Sequence, residues 1–101
     1  MTFPSVPTDP GVVRQVLTDD PALMLVSFRF QTGAVGKLHQ HPHVQASFCK
    51  SGRFSFQIGA QTHEIGPGDT LAIPSNTPHG CHCLHEGELI DSFAPRRDDF
   101  L

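Results

Sequence analysis

The sequence predicts an all-β domain, an antiparallel sandwich or barrel. Three observations carry this. Apolar residues recur with period two along most of the chain, the spacing of side chains on one face of a pleated strand. Turn-forming clusters of Gly, Pro, Asn and Asp separate those runs at regular intervals. No segment carries an apolar stripe at helical spacing.

In LMLVSFRF, Met24, Val26, Phe28 and Phe30 alternate with Leu25, Ser27 and Arg29. In RFSFQIG, Phe54, Phe56 and Ile58 alternate with Arg53, Ser55 and Gln57. Gly59-Ala60 reads as a tight hairpin turn, with QTHEI as the returning strand. Gly66-Pro67-Gly68-Asp69 is a second turn and TLAIP a short strand after it. Ser75-Asn76-Thr77-Pro78 is a third turn. GCHCLHE runs to Glu86-Gly87-Glu88, and LIDSFAP is the last strand. The expectation is eight or more short strands at regular spacing, enclosing a mouth where inward side chains converge on a ligand.

Residues 1–101 have the length of one domain. The net charge is −3 and the seven Lys and Arg are scattered, which is no footprint for nucleic acid. No apolar run approaches the roughly 20 residues of a membrane span. MTFPSVPTDP has neither a basic flank nor an apolar stretch, so no secretory signal is expected. Three cysteines do not make a disulfide framework, and a cytoplasmic location is expected.

The chemistry concentrates in HQHPHVQ. His39 and His41 are two apart, so on a strand both imidazoles share a face. Gln45 falls on the same parity, although Pro42 interrupts the strand. His79, just after the third turn, can enter from a neighbouring strand. Three imidazoles and one amide oxygen suit one divalent transition metal, whether Zn, Ni, Mn or Fe. Cys81, Cys83 and His85 share parity with His79, but their spacing is not that of a standard zinc motif. They are expected to pack inside the barrel, with His43 at the mouth and His63 and His82 in solvent.

These residues resemble the cupin family, whose motifs are G(X)5HXH(X)3-4E(X)6G and G(X)5PXG(X)2H(X)3N. The first runs here from Gly33 through His39, His41 and Gln45 to Gly52, with Gln45 in the glutamate's place. The second runs from Gly68 through Pro74 and His79 to Cys83, with Asn76 for the glycine and Cys83 for the asparagine. The resemblance implies a double-stranded β-helix, the jelly-roll barrel, with motifs at 33–52 and 68–83 and ligands His39, His41, Gln45 and His79. HQHPHVQ, SGRFSFQIG, IPSNTPHG and DSFAPRRDDFL are further similar to the small single-domain cupins of the KdgF type. Those proteins convert 4,5-unsaturated uronate monomers from pectin or alginate breakdown to open-chain keto acids. By position Asp91, Phe93 and Arg97 match their catalytic and substrate-binding residues. Val44 and the ASFCK stretch depart from that pattern.

Gln45 then has a physical reading. A neutral amide and three neutral imidazoles leave the metal near +2, which favours polarising an oxygen over stabilising a higher oxidation state. Asp91 is the candidate acid–base, a carboxylate in an otherwise apolar strand. Arg97 can hold an anionic sugar acid in a bidentate fork, and Phe93 can wall the pocket. Two alternatives stand beside this metal-dependent isomerase or lyase: a cupin dioxygenase with a mononuclear metal, and a non-catalytic sugar- or metal-binding cupin. The family also implies a homodimer, with the N-terminal strands covering a partner's sheet edge.

Overall fold

The computed structural model describes residues 3–101. Its strands are β1 (Ser5–Pro7), β2 (Val12–Asp20), β3 (Leu23–Phe30), β4 (Val35–His39), β5 (Val44–Ile58), β6 (Gln61–Ile65), β7 (Thr70–Ile73) and β8 (His79–Ala94). A 3-10 turn over Asp98–Phe100 follows. Among the described residues no helix is long and apolar enough to cross a membrane.

Every pairing is antiparallel, and the sheet order is β1-β2-β3-β8-β5-β6, with β4 on β8 and β7 on β5. Two strands differ from the expected short ones: β5 has 15 residues and β8 has 16. Each serves both layers of the barrel. The first part of β5 pairs with β7 and the last part of β8, while its second part pairs with β6 and the first part of β8. The register slips at Cys49/Ser51, Ser51/Arg53 and Arg53/Phe54, where the two strands bend together.

Glycines permit that bend. Gly52 has φ +81°, and a Cβ on it would lie 2.5 Å from the His85 carbonyl oxygen. A Cβ on Gly87 would collide with the Ser51 carbonyl. In sequence Gly87 separates two expected strands and Gly52 closes a motif; in space they let two backbones pass closely.

The core has two apolar clusters. One joins Val12, Phe30, Ala34, Cys49, Phe54, Phe56, Ile65, Ile73, Cys83 and Leu89. The other joins Val16, Met24, Val26 and Phe93. Along β8 the inward residues are Leu89, Asp91 and Phe93, so Asp91 stands between the clusters. Its neighbour across the ladder is Ser47, and Phe93 faces Gln45. A polar layer thus interrupts the core at one level, where the site forms.

Candidate metal centre and active-site cavity

His39 ends β4 and lies opposite His79, the first residue of β8. His41 lies past the end of β4, in the loop containing Pro42, so the same-face strand argument does not hold for it. The loop is tied down instead by the 75–78 turn. Asn76 donates its backbone N–H to the His41 carbonyl at 2.8 Å, and the Ser75 hydroxyl donates to the Pro42 carbonyl at 2.6 Å. Asn76 has φ +57°, the left-handed region that a glycine fills most easily and Asn tolerates.

The three imidazoles converge. Each offers a ring nitrogen, and these atoms lie within 4.8 Å of one another. Ring centroids are 4.3 Å apart for His39–His79 and 4.9 Å for His41–His79. Nδ1 of His39 is 2.7 Å from the Lys37 carbonyl, and Nδ1 of His79 is 2.9 Å from the Thr77 carbonyl. A carbonyl acceptor puts the proton on Nδ1 and leaves Nε2 with its lone pair, the tautomer of a metal ligand. His79 Nε2 is buried and has no protein partner. Burial pushes His41 down to about 4, and it lowers His79 as well, so both stay neutral near pH 7.

Gln45 stands beside this cluster and offers it an amide oxygen. Its Oε1 lies 3.1 Å from His41 Nε2, while its Nε2 donates to Ser47 Oγ and Asp91 Oδ2, each at 3.1 Å. The amide is thereby oriented, oxygen toward the imidazoles. Three ring nitrogens and one carbonyl-type oxygen fit a divalent transition metal.

Asp91 is 5% exposed, and its Oδ1 has no hydrogen-bond partner. Burial pushes its carboxyl up to about 7, against the opposing influence of Ser47, Arg97 and Gln45. A cavity of about 280 Å³ joins His39, Gln45, His79, Asp91, Phe93 and Arg97. His43 packs edge-on against Phe93 and His41.

Arg97 leaves its strand for the C-terminal turn. Its guanidinium sits over Phe93 and Phe100, at 5.1 and 4.3 Å. Its fork is filled: Nε and Nη2 donate to Asp99 at 3.0 and 2.9 Å. Sequence reasoning gave no role to Arg14, Lys37, Asp99 and Phe100; Lys37, Asp99 and Phe100 lie within quoted motifs, and Arg14 lies outside them all. Cys81 lines the cavity and Cys83 is in the core, but His85 is exposed, so the three form no second site. His82 is exposed as expected, and His63 is half-buried.

Residues 26–91 match the cupin domain profile. This chain belongs to the cupin family. The cupin is 37% identical over 93 residues to the pectin degradation protein KdgF of Dickeya dadantii (strain 3937), covering 90% of this chain and 84% of that one. It superposes on the structure of KdgF from Halomonas sp. with a TM-score of 0.94 and 34% identity, over 100% of this chain and 98% of that chain. An RmlC-like cupin from Shewanella frigidimarina NCIMB 400 gives 0.94 at 33% identity, over 98% and 89%. The cupin is thus KdgF-like along its whole described length, and the jelly-roll expectation holds.

Proposed function

We propose that this cupin converts 4,5-unsaturated uronate monomers, products of pectin or alginate breakdown, into open-chain keto acids. One observation carries the reading: Gln45 joins the histidine cluster to a buried carboxyl, Asp91, at the wall of one cavity. The likeness to a pectin degradation protein supports the substrate class.

His39, His41, His79 and Gln45 would hold the metal, which when bound supplies Lewis acidity toward a substrate oxygen. The protein's own groups move the protons. The anomeric hydroxyl gives its proton to Asp91, whose Oδ1 is unpartnered. The C1–O bond of the ring opens, its electron pair leaving with the ring oxygen, to give an aldehyde at C1 and an enolate at C5. Return of the proton to C4 yields the ketone. The sequence is an isomerisation that consumes neither oxidant nor water. Asp91, poised near neutrality, can both accept and return that proton. Phe93 walls the cavity beside it, and Arg97 lines the same cavity, stacked over Phe93.

The test is loss of ultraviolet absorbance from a 4,5-unsaturated galacturonate monomer. Metal-loaded protein accelerates it; chelated protein and Asp91→Asn do not. A metal-loaded protein no faster than the spontaneous reaction rules the substrate out. We propose that the cupin works as a homodimer, for which the outward face of β5, with Val44 and Phe48 exposed, is a suitable contact; the mass in solution tests this.

A further inference from the structure

We propose that Arg14 is the residue that grips the substrate's carboxylate. This rests on the uronate reading above and names the part of the site that recognises the acid. Three cations line the cavity: Arg14 from β2, Lys37 from β4, and Arg97 from the C-terminal turn. Two of them already have a counter-charge. Lys37 lies 3.8 Å from Asp9. Arg97 gives two hydrogen bonds to Asp99, and its side chain is only 12% exposed. To receive a substrate in its fork, Arg97 would first have to release Asp99.

Arg14 differs. It is half-buried, and among the described residues its guanidinium has no hydrogen-bonded or ion-paired acceptor. Its Cζ sits 4.2 Å over the Phe100 ring. That ring is held in turn by the Arg97 guanidinium at 4.3 Å and by edge contacts with Phe28 and Phe93 at 6.0 and 5.7 Å. Asp99 is near enough to favour Arg14's charge, but it is spent on Arg97. The result is a guanidinium fixed on an aromatic shelf with its donors uncommitted. A planar fork of this kind matches a carboxylate in two parallel hydrogen bonds, and fixing it beforehand removes much of the ordering cost. Arg97 and Phe100 then act as positioning residues for Arg14.

The experiment is calorimetric binding of two non-reacting sugars, galacturonate and galactose, to zinc-loaded protein, with turnover of the unsaturated uronate followed in parallel. The wild type is expected to prefer the acid by roughly tenfold or more. Arg14→Gln removes most of that preference while leaving galactose binding within about threefold. Arg14→Lys keeps the charge but not the fork and retains part of it, which keeps the test decisive if Arg14→Gln folds poorly. The proposal is overturned if the wild type shows no preference, if Arg14→Gln or Arg14→Lys leaves it intact, or if only Arg97→Gln abolishes it. An acid preference that depends on Arg14, without turnover, rejects the proposed reaction and keeps this residue's role.

Discussion

Gln45 donates its side-chain N–H to Asp91 at 3.1 Å, joining a candidate metal ligand to the one buried acid on the inward face of β8. The contact explains why an amide stands where related motifs carry a carboxylate. A glutamate at 45 would place two carboxylates in contact, and one would have to hold a proton.

Gln45→Glu should therefore couple the two groups. Zinc affinity rises, because an anionic oxygen replaces a neutral one, while turnover falls by roughly tenfold or more because the Asp91 proton is shared. Competition against a chelator and the absorbance assay measure the two effects. Turnover equal to the wild type would remove the assigned purpose of the amide.

Asp91→Asn should cost roughly a hundredfold or more in turnover, the usual range for a lost acid–base group, with zinc affinity changed by less than about threefold. Metal-free stability should move the other way. The carboxyl is pushed up to about 7 in the fold, so the native state holds a proton that the unfolded chain gives up above its ordinary value near 4. The stability that the proton supports is full at low pH and is lost as pH rises through 7. Denaturant titrations at pH 5 and 8 should show that loss in the wild type and a flatter profile in Asp91→Asn.

His41 predicts the opposite slope. It is held neutral down to about 4, so the native state resists a proton that the unfolded chain accepts below about 6.5. Its contribution is full above 6.5 and is lost as pH falls toward 4. His41→Gln should flatten the acid side of the metal-free stability profile, by up to about 1.4 kcal/mol per pH unit. An unchanged acid slope would mean that the imidazole is solvated.

His79→Ala should weaken zinc binding by more than roughly a hundredfold, since a ligand counts for more than its supporting hydrogen bonds. A chelator should then lower the melting temperature of the zinc-loaded wild type and leave that of His79→Ala unchanged. Equal responses would place the metal elsewhere.

Gly87→Ala probes the fold away from the site. Its new methyl would meet the Ser51 carbonyl where β5 and β8 cross, costing roughly 1–3 kcal/mol and more than about 5 °C in melting temperature. A variant that melts with the wild type would show that the crossing can open.

Much of the site was legible because its signal is local. His39, His41, Gln45 and His79 stand at motif spacings, and strand parity turns Asp91 and Phe93 inward with Leu89. The continuity of β5 and β8 was not legible: Gly52 and Gly87 look like turn residues until the opposing backbone that needs them is in place. Arg14 was missed for a related reason, since β2 meets the cavity only after β3 and β8 have paired.

The sequence by itself determined the all-β class, marked the three converging histidines by motif spacing and put Asp91 on the face of Leu89 and Phe93, because period two and short spacings act through neighbours along the chain. The tertiary structure alone decided that Gln45 meets Asp91, 46 residues away, and that Asp99 occupies Arg97 while Arg14 stays open. Alternation specifies the face of a strand, but not which strand lies beside it or in what register. Those depend on long-range pairing and on burial of the whole core.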